Sequence, residues 1–153
     1  MPGPLIRADR DGMFSTSNDS LLIRLESSDS LTQKMVYKAE SRLSHLDTGE
    51  KLAYFQLLGN YYYSRENPDS AIFYNRKGLD IARKTGNSYY TAYFHLWIAI
   101  NYNIKSEYET ALNELTLASE VAAGTDSIRL QNTIARNTGN VYWGMGIYEK
   151  ALE

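Results

Sequence analysis

Apolar positions return at helical spacing through most of the chain. In LLGNYYYSRENPDSAIFYNRKGLDIA, residues 57–82, Leu57, Leu58, Tyr61 and Tyr62 mark one helical face. Ala71, Ile72, Leu79 and Ala82 mark another. Asn67-Pro68 divides the two. Proline has no N–H and a preset φ, so it suits the first turn of a new helix. Gly59 falls inside the first helix and Gly78 inside the second. A glycine within a helix costs about 1 kcal/mol relative to alanine, so each implies a neighbouring helix at close range. The stretch predicts a helical hairpin.

The pattern repeats every 40 residues. Gly59, Ala99 and Gly139 keep this spacing, as do Tyr62, Tyr102 and Tyr142, and Ala71, Ala111 and Ala151. Ile72, Leu112 and Leu152 follow it, as do the pairs Gly78 and Ala118, Ala82 and Ala122, and Asn60 and Asn140. A fixed period of this size predicts an all-α stack of helical hairpins. The units are 47–86, 87–125 and 126–153.

Local signals set the expected boundaries. Asp47 with Glu50 three residues on fits a capping arrangement for a helix running to about Ser64. The next helix runs from Pro68 to about Thr85, with Gly86 as its stop and Asn87 as the following cap. Helices over Ser88–Ile104 and Glu107–Ala123 make unit two, which Gly124 ends. Asp126 opens unit three, whose second helix starts at Ile147 and has only KALE before the sequence ends. Ile134, Val141, Tyr142 and Leu152 are then expected to have little to pack against. A longer parent protein, a partner, or self-association through this end would cover them.

Residues 1–17 are rich in Gly, Pro, Ser and Asp and predict a disordered leader. Residues 18–46 predict a helical hairpin outside the 40-residue register, with Leu21, Leu22 and Leu25 on one helix and Leu31, Met35, Val36, Ala39 and Leu43 on the other.

Composition narrows the functional classes. With 153 residues the chain is one domain's worth, and a net charge of −2 points to neither nucleic acid nor an anionic membrane surface. The absence of cysteine excludes disulfides, thiol catalysis and cysteine-ligated zinc. No apolar run approaches the roughly 18 residues of a membrane span. His45 and His95 stand alone in sequence, and no metal, phosphate-loop or nucleophile motif occurs. Glu107, Glu109, Glu114 and Glu120 read as ionised surface. No enzymatic activity, cofactor or metal is expected.

At LLGNYY (57–62), IAINYN (98–103) and TGNVYW (138–143), and at SAIFYNRKGL (70–79), TALNELTLAS (110–119) and KALE (150–153), the chain resembles the tetratricopeptide repeat family. The period is six longer than the family's 34. The aromatic that opens the first helix is Phe55, then His95, then Ala135, and the Leu before Gly is Thr138 in unit three. The resemblance implies a right-handed solenoid that binds a protein or peptide in a concave groove lined by the first helix of each unit. By register the groove sites are Ala53, Gln56, Asn60, Tyr63 and Ser64; then Tyr93, Leu96, Ile100, Asn103 and Ile104; then Thr133, Arg136, Asn140, Trp143 and Gly144. Amides can bond an extended backbone, and Tyr and Trp offer rigid contact area. The binding residues expected are Gln56, Asn60, Tyr63, Tyr93, Leu96, Asn103, Arg136, Asn140 and Trp143. The carboxylate clamp of the family's chaperone-binding members is not expected, because no lysine lines the groove and Ile100 stands at the middle amide site.

The layout also resembles the input half of bacterial membrane-bound regulators, which implies signal transduction and a periplasmic location. The chain as it stands implies a cytoplasmic one. The alternative is a docking arm of an enzyme whose catalytic domain lies beyond Glu153.

Overall fold

A computed structural model describes residues 43–152. Residues 1–17 and nearly all of the 18–46 hairpin lie outside the described residues. Six α-helices follow a short 3-10 turn at Leu43–His45: α1 (Thr48–Ser64), α2 (Pro68–Lys84), α3 (Ser88–Ile104), α4 (Tyr108–Ala122), α5 (Ile128–Gly144) and α6 (Tyr148–Ala151). No strand occurs among the described residues. The first helices begin at residues 48, 88 and 128 and the second at 68, 108 and 148, so the 40-residue period holds in the structure as in the sequence.

Side-chain caps start most of these helices. Asp47 and Glu50 form a reciprocal capping box, with Glu50 N donating to Asp47 Oδ1 at 2.8 Å and Asp47 N donating to Glu50 Oε2 at 2.9 Å. Asn67 Oδ1 accepts from Ser70 N, and Asn87 Oδ1 from Tyr90 N. Unit three is capped by Ser127, whose Oγ accepts from Leu130 N. The start expected at Asp126 therefore moves on, because the residue that satisfies the third helical N–H sets the boundary.

The turn inside each hairpin has one form. Glu66, Ser106 and Gly146 all take the left-handed conformation, with φ of 55°, 60° and 75°. Asn67 N donates to Tyr62 O, Glu107 N to Tyr102 O and Ile147 N to Tyr142 O. The inner bonds are Glu66 N to Tyr63 O, Ser106 N to Asn103 O and Gly146 N to Trp143 O. This paired bonding is the Schellman closure of a helix end. The aromatic at position 62, 102 or 142 thus supplies the outermost carbonyl of every turn.

Each helix packs on the next in chain order, and α3 also touches α1 and α5. One core cluster joins Leu52, Phe55, Leu58, Ile72, Leu79, Phe94 and Ile98. A second joins Leu96, Ala99, Ala111, Leu115, Ala118, Leu130, Ile134 and Val141. The small residues sit where helices approach. A Cβ on Gly59 would run into the Asn75 side chain, and one on Gly78 into the Phe94 ring. Ala99 is fully buried. A Cβ on Gly139 would lie 3.1 Å from the Ala151 carbonyl oxygen. Ile134 and Val141, expected to lack partners, are instead buried against α3 and α4 residues of the second cluster. Tyr142 is half-buried, with the Lys150 ammonium 5.5 Å from its ring centre, and Leu152 stays open to solvent.

Among the described residues no helix is long and apolar enough to cross a membrane.

Candidate functional site

The first helices carry a row of aromatic and amide side chains. The Tyr93 hydroxyl on α3 donates to Asn60 Oδ1 on α1 at 3.2 Å. Burial pushes that hydroxyl far above the ordinary tyrosine value, and the neighbouring Gln56 and Asn60 amides only partly offset this. Tyr93 is therefore a neutral donor. Its ring packs against Tyr89 and leans on Trp97, with centres 6.4 and 6.1 Å away. Trp97 meets Tyr63 edge to face at 5.1 Å. Tyr63 is the exposed end of the row, at 38%.

A second group lies on α5. Arg136, Asn140 and Trp143 recur on one face at the i, i+4, i+7 spacing and are exposed. With Ala135, Gly139 and Ala151 they line a hollow of about 410 Å³. Trp143 meets Tyr148 of α6 edge to face at 4.8 Å.

The residues expected to bind divide accordingly. Gln56, Asn60, Tyr93 and, through Trp97, Tyr63 are brought together, and Arg136, Asn140 and Trp143 form a separate set. Asn103 is half-buried near the end of α3. Leu96 is 2% exposed and belongs to the second core cluster with Leu130 and Ile134 of α5. It lies in the core rather than on an open groove, because α5 packs against α3 there. Ala53 and Gln56 are also buried. All positions from Leu52 to Gly59 are, as befits a helix that is apolar on nearly every side. Trp97 was not among the expected residues. Its signal was position, four residues after Tyr93 and so on the same helical face.

Buried His95 joins two charged side chains from neighbouring helices. Arg83 Nη2 of α2 lies 2.9 Å from His95 Nε2, and His95 Nδ1 lies 2.6 Å from Glu114 Oε2 of α4. A guanidinium can only donate, so Nε2 accepts and Nδ1 carries the proton that it gives to Glu114. Both ring nitrogens are thereby engaged, and the ring ties α2, α3 and α4 together. Glu114, expected on open surface, has a side chain only 17% exposed. Its partner, His95, comes from another helix, which no spacing along α4 could disclose. Glu107 does face solvent, sharing Lys105 with Asp69 at 2.9 Å each. His45 lies exposed in the 3-10 turn.

Among the described residues no cluster of three or more His, Asp or Glu is placed to hold a metal. No family model, curated protein or solved structure matches the chain.

Proposed function

We propose that this chain is a helical-repeat interaction module, a tetratricopeptide-like solenoid that binds a protein or peptide and performs no chemistry of its own. The common period of caps, left-handed turns and small-residue crossings supports the repeat reading. The observation that carries the binding reading is the row from Asn60 through Tyr93 and Trp97 to Tyr63. It sets a fixed amide acceptor beside rigid aromatic area, the combination that holds an extended backbone and fills a side-chain pocket. A few such anchors supply most of an interface's energy.

The test is a peptide-library selection on the whole chain. Affinities of the recovered peptides are then measured for Tyr63→Ala, Trp143→Ala and the double variant. Both side chains are exposed, so the variants keep the wild-type helical signal. A loss of about tenfold or more in the double variant supports a groove. Unchanged affinity removes it.

A further inference from the structure

From Tyr90 to Asn101 every residue of α3 is buried except Trp97 and Ile100. One helical step further, Ile104 is 53% exposed. Tyr93, Trp97, Ile100 and Ile104 follow one another at intervals of four, three and four residues, so they form one apolar line along the helix. At the helical rise per residue this line is about 16 Å long. Helix α3 touches a first helix from each neighbouring unit, α1 and α5, so its opening lies inside the array and not at an end.

The neighbouring helices are polar or small along the same line. The positions equivalent to Ile100 and Ile104 are Asn60 and Ser64 on α1, and Asn140 and Gly144 on α5, while Asn137 matches Trp97. Tyr93 Oη donates to the Asn60 oxygen at 3.2 Å, and Asn137 Nδ2 donates to Thr133 O at 2.8 Å. Each amide is therefore held in place. Among the described residues Asn60 keeps its NH2 group, and Asn137 its oxygen, for a further partner. An apolar floor thus runs between two amide-bearing rims.

Charge narrows the occupant. None of these positions is charged, and α3 carries no Asp, Glu, Lys or Arg anywhere in its length. Arg136 stands at the step equivalent to Leu96, off this line. A charged side chain turned onto the floor would lose its water without gaining a counter-charge. Backbone form is narrowed by the rims. A helical ligand bonds its own N–H and C=O groups and leaves the amides nothing to do. An extended ligand sends those groups sideways, to the rims, and every second side chain down to the floor.

We propose that the α3 groove holds an uncharged, extended segment of a partner protein, with apolar side chains at alternate positions over Trp97, Ile100 and Ile104. At about 3.3 Å per residue some five residues span the floor, so two or three side chains point into it. The proposal deepens the interaction-module reading and rests on it: it names the side-chain period and the charge of the ligand.

The test is a display library of random peptides selected on the whole chain and read position by position. The expected result is apolar enrichment at every second position, with acidic and basic residues depleted there. Affinity of a recovered peptide is the same at low and high salt, because no ion pair is there to be screened. N-methylation of a central peptide nitrogen weakens it about tenfold or more. Ile104→Asp in the chain does the same with an unchanged helical signal, since Ile104 is exposed. Leu117→Asp, which adds the same charge at an exposed site on α4, leaves affinity intact. Apolar enrichment at three- and four-residue spacing marks an amphipathic helix, and enriched charges mark an ionic ligand. Either overturns this proposal and keeps the interaction module. So does affinity that Ile104→Asp leaves intact, or that Leu117→Asp lowers equally. A free chain whose mass rises with concentration, unless Ile104→Asp is present, puts a second copy in the groove and overturns it as well. Recovery of no peptide overturns both this proposal and the interaction module.

Discussion

The Asn75 side chain occupies the space that a Cβ on Gly59 would need. Asn75 is fully buried, so it has nowhere to retreat. Gly59→Ala sets a helix-propensity gain of about 1 kcal/mol against overpacking of about 1–3 kcal/mol. Chemical denaturation is expected to show a net loss of up to about 2 kcal/mol. In an Asn75→Ala background the same substitution becomes stabilising, because its obstacle is gone. Gly139→Ala is the contrast. Its nearest neighbour, the Ala151 oxygen at 3.1 Å, belongs to the four-residue α6, which can yield. It is expected within about 0.5 kcal/mol of neutral. Equal costs at Gly59 and Gly139 would contradict this account of the notches.

Asn75 and Leu115 occupy equivalent places but hold them differently. Among the described residues neither polar atom of the Asn75 amide finds a hydrogen-bond partner, although the side chain is buried. An unsatisfied buried polar group carries a penalty of about 1–3 kcal/mol. Asn75→Ala removes that penalty as it opens a small cavity, and is expected to be near neutral. Leu115→Ala removes only favourable burial and should cost about 2–5 kcal/mol. The two measurements, made side by side, decide whether Asn75 is an energetic liability retained for fit.

The bridge through His95 predicts a graded series. His95→Phe restores the aromatic that unit one carries at Phe55, yet strips Glu114 and Arg83 of their partner. Its expected cost is about 2–3 kcal/mol, the scale of a charge-assisted bond left unmade. Glu114→Gln keeps an oxygen acceptor for the Nδ1 proton and loses only its charge, for about 1 kcal/mol. A double-mutant cycle of His95→Phe with Glu114→Leu should return a coupling of about 1 kcal/mol or more. Strict additivity would mean that the contact contributes nothing.

The hairpins were legible because their signals are local. Asp47 with Glu50, Asn67 with Pro68, and Asn87 each satisfy N–H groups within a turn of themselves, so sequence spacing discloses them. The period at Gly59, Ala99 and Gly139 was legible for a related reason, since missing side chains mark crossings directly. Burial on the first helices was not. Leu96 meets α5, and Glu114 meets His95 of α3, so both depend on how neighbouring helices rotate against one another. Ile134 and Val141 show the same limit in the opposite direction. They looked unpartnered in their own unit, but the preceding one covers them.

Tyr93 makes stability depend on alkaline pH. Burial raises its hydroxyl pKa in the folded chain, with the Tyr89 and Tyr90 hydroxyls adding to the rise and the Gln56 and Asn60 amides opposing it. The folded state thus favours the protonated form. Its contribution is complete below the unfolded value of about 10 and is lost as pH climbs above that. At neutral pH Tyr93→Phe loses the bond to Asn60 and about 1 kcal/mol. Above about pH 10 the variant has no proton to lose at this site, so its deficit relative to wild type should shrink. Denaturation at several alkaline pH values measures this, and a deficit that grew with pH would contradict it.

The left-handed turns supply the last expectation. Glu66, Ser106 and Gly146 share one backbone conformation, but only the third is glycine. A side chain there crowds the following carbonyl at a cost of about 1–2 kcal/mol, which glycine avoids. Part of the gain from introducing glycine is lost to its greater freedom in the unfolded chain. Glu66→Gly and Ser106→Gly are each expected to stabilise by about 0.5–1 kcal/mol, and Gly146→Ala to destabilise by a similar amount. The two stabilising changes sit in separate turns and neither replaces a member of the Lys105 bridge to Asp69 and Glu107, so they should add. Loss of stability at Ser106→Gly would mean that its side chain makes a contribution larger than the strain it bears.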